Sequence, residues 1–397
     1  MERPALENGK PVRDEFLPFA QPWITNEEID EVVTVLKSGW LTTGPKTLEF
    51  ESRFKEYIGA KQAVAVNSCT GGLHISLAVL DIGEGHEVIT SSLTFAATAN
   101  VAVIRGAKPV FVDVRKDTFN MDPEKIEAAI TKRTKAIIPV HYGGQPCDMD
   151  AIMEVAKHYD LYVIEDASHA VGAEYNGKRI GTIGNLNCFS FYANKNMTTG
   201  EGGMVTTEDG KLADEMRKWR LHGISKDAWN RYGRTGSWYY EVEHAGFKYN
   251  MMDIQAAIGL VQLKKLNGFI EMRQKYAHYL TERLSDLPEL RLPVEKENVR
   301  HVWYLYPILI RTEMLRIDRN RFIEALAAEN IGTSVHFIPL HLHPFYKKTF
   351  GYKEGDFPNA EYIYQGLISL PMYPKMTQKD LDDVTKAVTK IVSYYRR

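Results

Sequence analysis

Seven short apolar runs, the first five separated by helical patterns, occupy residues 63 to 206. They lie at 63–66, 87–90, 110–113, 136–139, 162–165, 188–191 and 204–206, with helical spacing at about 73–80, 95–105, 123–130 and 148–159. Runs that are apolar at nearly every position have no solvent face, so both sides of the sheet they form must be covered. This alternation predicts an α/β fold with a mostly parallel, seven-stranded sheet. Ahead of it, Thr25 and Glu28 have capping-box spacing, and Ile29, Val32, Val33 and Leu36 share one helical face before Gly39. The pattern changes after about residue 210. A helix at 211–220 leads into an aromatic, glycine-punctuated stretch at 224–249 and a long helical pattern at 253–284. Strands at 304–310 and 334–337, with helices at 319–329 and 378–395, give the rest an α+β character. The expected division is a large α/β unit over 15–255 and a smaller α+β unit over 256–397.

Charge narrows the function classes. Lys plus Arg number 49 against 51 Asp plus Glu, and the net charge of -2 offers no attraction to nucleic acid or an anionic membrane. No apolar run reaches the roughly 18 residues that a membrane span needs. The charged N-terminus is unlike a secretory signal. Cys69, Cys147 and Cys188 lie far apart without metal-ligand spacing, which fits a reducing cytoplasm.

In open parallel sheets ligands bind beyond the carboxyl ends of the strands, so the polar residues there come first. The 162–165 run leads into Asp166, with His169 following. A single acid in that place reads equally as a solvated cap or as the partner of a protonated ring nitrogen. Ser190 and Lys195 leave the next run, ahead of Gly200-Glu201-Gly202-Gly203. A lysine after a strand is usually solvated, but one desolvated near a positive cofactor has a lowered pKa and can form a Schiff base. Asn67 to Gly72 join a strand to a helix, where backbone N–H groups can hold phosphate. The stretch has neither dinucleotide-fingerprint nor P-loop spacing. Phe95 follows another strand, where an aromatic more often packs in a core than stacks on a ligand. A phosphate-holding turn, an aromatic, an acid, a serine and a lysine thus occur in order at successive strand ends. Pyridoxal phosphate requires that set.

These residues, together with Ser38 to Pro45, Glu165 to Ala170, Ser190 to Gly203 and Gly246 to Ala257, resemble the DegT family. That family comprises fold-type-I, pyridoxal-phosphate-dependent nucleotide-sugar aminotransferases, and the resemblance runs from about Phe16 to Tyr395. It implies that Lys195 is the Schiff-base lysine, that Asp166 pairs with the pyridine nitrogen, that His169 lies near the ring hydroxyl and that Phe95 covers the ring. The backbone of Thr70 and Gly71, with the Ser190 hydroxyl, would hold the phosphate. Asn250 would reach it from the other subunit of a homodimer with shared active sites.

Gly246-Phe247-Lys248-Tyr249-Asn250 departs from the commoner Gly-aromatic-Asn-aromatic-Arg. It is similar to the subgroup of UDP-4-amino-4-deoxy-L-arabinose synthase-like enzymes, with either Lys248 or Asn250 making the cross-subunit contact. The resemblance implies amino transfer from L-glutamate to the C4 keto group of a UDP-linked sugar, as in polysaccharide or lipopolysaccharide biosynthesis. The 4-keto-6-deoxyhexoses linked to dTDP or GDP are the competing substrates. Candidates for holding the sugar and its diphosphate are Trp40, Thr42, Thr43, Arg231, Arg234, Lys248 and His336. A related sugar dehydratase would carry His where Lys195 stands, and a non-catalytic regulator would need no complete acid–lysine pair.

Overall fold

The computed structural model describes residues 2–225 and 238–397. Its central sheet uses β1 (Gln62–Val66), β2 (Glu87–Ser91), β3 (Lys108–Val112), β4 (Thr134–Ile138) and β5 (Tyr162–Asp166). A two-stranded excursion, β6 (Glu174–Tyr175) and β7 (Lys178–Arg179), precedes the last two members, β8 (Leu186–Ser190) and β9 (Gly203–Thr207). The sheet order is β1-β9-β8-β5-β4-β2-β3, seven strands in all. Only β9 runs antiparallel to its neighbours, because a short connection returns it directly beside β8.

Residue alternation explains why helices cover both sides. Ala65, Ile89, Ile137 and Val163 join one apolar cluster, while Val64, Val88, Ile138 and Ile164 join another on the opposite face. Helix α1 (Asn26–Ser38) packs on the long helix that follows the sheet, while the first cluster is closed by α2 (Pro45–Ile58) and α5 (Met149–His158), and the second by α3 (Cys69–Val79), α4 (Ala96–Ile104) and α6 (Gly210–Trp219). Phe54 of α2 packs edge-on against Phe50, Phe189 and Phe191, and Phe50 leans on Phe191, all without exposure. Truncating Phe54 to alanine should cost about 3–5 kcal/mol.

Beyond the sheet, α7 (Asp253–Leu284) runs 32 residues. Its Ala256, Leu260, Leu266 and Ile270 pack into the sheet core, whereas Ala277, Leu280 and Leu284 enter a separate cluster with Trp303, Tyr306, Phe322, Leu381 and Ile391. That second core is built on a small sheet of β10 (Leu290–Arg291), β12 (Tyr306–Ile310) and β13 (Leu367–Leu370). The short β11 (Val299–Arg300) pairs with β6. Around the small sheet lies α8 (Arg319–Ala328); α9 (Pro344–Phe350) instead packs its Tyr346 against Phe111 of β3, and α10 (Pro358–Gly366) and α11 (Gln378–Tyr395) return to the small sheet and its core. Leu17, near the N-terminus, also belongs to this core.

Two elements differ from the sequence expectation. The 123–130 helix is a pair of 3-10 turns, Pro123–Lys125 and Glu127–Ala129, started by the Asp122 side chain accepting from Glu124 N–H. The 334–337 strand is absent; only Ser334 pairs, with Ser369 of β13. The chain there turns to present His336 and Phe337 to a cavity instead. Among the described residues, no helix is long and apolar enough to cross a membrane.

Candidate active site

The carboxyl ends of β5 and β8 and the first turn of α3 meet at a cavity of about 420 Å³. Pairing register brings them together: Asp166 lies opposite Cys188, and Ser190 opposite Gly203. A methyl group on Gly203 would come within 2.6 Å of the Ser68 carbonyl carbon and 2.7 Å of Cys69 N. Glycine is therefore what lets β9 approach the head of α3. That helix starts four residues before the apolar spacing suggests, because the Ser68 hydroxyl caps it by accepting from Gly71 N–H at 3.0 Å. The N–H groups of Cys69 and Thr70 have no intrahelical acceptor and remain for an anion, whereas that of Gly71, expected to hold phosphate with Thr70, is taken by the Ser68 cap.

Asp166 is buried, and both its oxygens are held. The Thr98 hydroxyl donates to Oδ2 at 2.8 Å and Ser168 N–H to Oδ1 at 3.1 Å. Lys195 lies in the loop between β8 and β9, pinned by Phe191 N–H to Gly202 O and by Lys195 N–H to Tyr192 O. Its ammonium sits 4.3 Å from the Tyr304 ring centroid, with no hydrogen-bond or ion-pair partner among the described residues. Burial pushes its pKa down to about 8, while the nearby Asp166 acts in the opposite sense. Such a lysine is partly neutral near physiological pH and so available as a nucleophile.

His169 stacks on Tyr304 at 4.5 Å and accepts from Gly143 N–H through Nδ1 at 3.3 Å. Burial holds its pKa well below the ordinary value, so the ring is neutral with its proton on Nε2. Thr70, Phe95, Ser190 and His336 also line the cavity. Phe95 is 61% exposed, a rim residue rather than a core one. His336 meets Ser369 Oγ through Nδ1 at 2.9 Å, and burial lowers its pKa to about 4.

Another group of sequence candidates does not line this cavity. Trp40 Nε1–H donates to Thr43 O at 3.1 Å, across a turn at Gly44 where any Cβ would strike the indole. Asn250 Nδ2–H donates to Thr43 Oγ1 at 2.8 Å, and Lys248 Nζ donates to Asn250 Oδ1. Asp253 ties the turn down. Its Oδ1 accepts from Gly44 N–H, Thr47 N–H and the Thr47 hydroxyl at 2.7–2.9 Å, and its Oδ2 accepts from Lys46 N–H. Thr42 takes part through its carbonyl, which accepts from Asp253 N–H. Gly71 stands between the two groups, with the Tyr249 ring 3.2 Å from where its Cβ would lie. Arg231 and Arg234 fall outside the described residues. Sequence reasoning passed over Thr98 and Tyr304. A threonine one turn beyond Phe95 on a predicted helix was the available signal for the first; nothing local marked the second.

Residues 22–389 match the model of the DegT/DnrJ/EryC1/StrS aminotransferase family, and the chain belongs to that family of sugar aminotransferases. It is 60% identical over 385 residues to "Uncharacterized protein MJ1066" of Methanocaldococcus jannaschii, covering 97% of this chain and 100% of that one. To "Spore coat polysaccharide biosynthesis protein SpsC" of Bacillus subtilis it is 53% identical over 381 residues, covering 96% and 98% respectively. The solved "Putative sugar aminotransferase Spr1654 from Streptococcus pneumoniae, PMP-form" superposes with a TM-score of 0.89 at 34% identity, over 95% of this chain and 99% of that one. The same Spr1654 is also solved in its PLP-form. The cofactor is pyridoxal 5'-phosphate. The cavity suits it by its own chemistry, with a buried lysine of lowered pKa, a buried carboxylate and a helix N-terminus facing one space.

Proposed function

We propose that this chain moves an amino group from L-glutamate to the C4 keto group of a nucleotide-linked sugar, with UDP as the nucleotide. The observation that carries the transfer chemistry is the meeting of Lys195, Asp166 and the first turn of α3 in one cavity. Bound pyridoxal phosphate supplies an electron-withdrawing ring that stabilises negative charge on the adjoining carbon. Lys195 would hold the cofactor through its aldehyde, and the same amine would move a proton at the substrate carbon. The Asp166 carboxylate holds a proton on the ring nitrogen. Cys69 and Thr70 N–H groups, with the Ser190 hydroxyl, bind the phosphate. His169, whose Nδ1 is taken by Gly143 N–H, would offer its Nε2–H to the ring hydroxyl, and Phe95 would cover the ring from the rim.

The same reading makes the enzyme a cytoplasmic homodimer with shared sites. Its support is that Trp40, Thr43, Lys248 and Asn250 form one bonded group outside the cavity of their own chain. In a dimer they would serve the partner's cavity, with Lys248 and the Thr42 hydroxyl meeting the diphosphate and sugar, while the Thr43 hydroxyl, held between Met251 O and Asn250, shapes the turn. The division into a large and a small unit belongs to this reading too, with the boundary, expected at 255/256, falling within α7, whose first half packs in the sheet core.

The test is spectroscopic. The purified holoenzyme should lose its visible band on addition of L-glutamate and regain it on addition of a UDP-4-keto sugar. Recovery with dTDP or GDP sugars alone would overturn the nucleotide choice. No response to glutamate would overturn the donor.

A further inference from the structure

Glu165 and His141 form a buried pair that the chemistry above leaves unused. Glu165 precedes Asp166 on β5, so the two carboxylates project from opposite faces of the sheet. Glu165 Oε2 lies 2.8 Å from His141 Nε2, and Oε1 accepts from Gly184 N–H at 2.5 Å. Neither side chain has any exposure. His141 Nδ1 accepts from Cys147 N–H at 3.0 Å. That donor marks Nδ1 as the unprotonated nitrogen, so one proton lies between Nε2 and Oε2, and the pair carries a single negative charge. The backbone repeats the connection. His141 N–H donates to Asp166 O at 3.3 Å, and Asp166 N–H donates to Pro139 O at 2.9 Å. The ends of β4 and β5 are thus joined by main chain and by side chains at the one residue step that aims Asp166. A buried carboxylate answered by a neutral imidazole and one amide is a poor source of stability, since well-packed apolar residues serve at least as well.

We propose that His141 and Glu165 are positioning residues for Asp166. They clamp the carboxyl ends of β4 and β5 from the far face of the sheet and place a second fixed negative charge behind the Asp166 carboxylate. The inference rests on the reading of Asp166 as partner of the cofactor's ring nitrogen. A fixed negative charge behind that carboxylate favours a proton on the nitrogen facing it.

The experiment is a double-mutant cycle on the holoenzyme, following loss of the visible band with L-glutamate in single turnovers. Glu165→Gln keeps the shape but turns an amide donor towards either His141 or Gly184. It should slow the half-reaction by about 3- to 100-fold, the range of coupling between residues in contact, with the concentration dependence on glutamate little changed. The double variant Glu165→Gln/Asp166→Asn should be no slower than Asp166→Asn alone. A merely structural role would not produce that non-additivity, and thermal unfolding shows separately that the fold is kept. Equal fractional slowing in both backgrounds overturns the proposal, as does a parent rate in folded Glu165→Gln. If Glu165→Gln does not fold, Glu165→Asp and His141→Gln enter the same cycle under the same criteria. An Asp166→Asn enzyme working at the parent rate overturns the reading of the site itself, and this inference with it.

Discussion

The Lys195 cavity and the Trp40–Asn250 group are built differently. The cavity is made at strand ends, where sheet register fixes Asp166 and Ser190 and leaves little freedom to the side chains. The second group is made of turns, and one buried carboxylate, Asp253, gathers them through four donors. Chemistry that needs a reacting atom placed to a fraction of an ångström belongs on the first kind of support. Recognition of a varied sugar belongs on the second, because turns change without disturbing a sheet.

Substitutions should separate the two regions by what they abolish. Lys195→Ala should reduce turnover by at least about 1,000-fold in steady-state assays, because it removes the group acting at the reacting carbon. Asp166→Asn should retain cofactor, seen by its absorbance, and lose about 100- to 1,000-fold in turnover, the scale for losing a fixed electrostatic partner. Neither change should alter the Trp40–Asn250 region. Mixed refolding of inactive Lys195→Ala with Asn250→Ala chains should restore activity through hybrid dimers carrying one intact site. Hybrids that form and stay inactive would place both regions at one chain's site and dissolve the contrast.

Acidity gives a smaller effect, confined to the cavity. Only the neutral amine captures the cofactor aldehyde, and the pKa of Lys195 is lowered from 10.5 to about 8. Capture by cofactor-free enzyme, followed by stopped flow, should rise about tenfold per pH unit below the midpoint and level above about 8. A rate still climbing at the ordinary lysine value would show that burial does not govern this amine. Smallest is the change expected at the loop anchor. Asp253→Ala should cost about 1–3 kcal/mol in denaturant unfolding by stranding buried N–H donors. It should also raise the sugar KM while sparing the glutamate half-reaction.

The strand-end residues were legible because an apolar run that stops at an acid, a serine or a lysine marks both the strand and its exit. The 334–337 segment misled for the same reason: Ser334-Val335-His336-Phe337 alternates like a strand, yet among the described residues only Ser334 finds a pairing partner. Phe95 looked like a core aromatic, because sequence cannot show that the chain after β2 ends at an open rim. Tyr304 was invisible for a deeper reason. It belongs to the segment leading into β12 and packs with Leu93, Phe111 and Tyr142 from the large sheet's side, so it reaches Lys195 only once segments far apart in the chain are packed together.

The length of α7 bears on how ligands enter. At about 1.5 Å per residue its 32 residues form a rod of about 48 Å, seated at one end among the sheet's helices and at the other beneath β12. Near its middle, the buried Arg273 donates to the carbonyls of Trp303, Tyr304 and Met372. Those bonds fix the backbone beside Tyr304 to the helix that both cores share, so a ligand entering the cavity meets a wall opposite Lys195 already held in place by the rod.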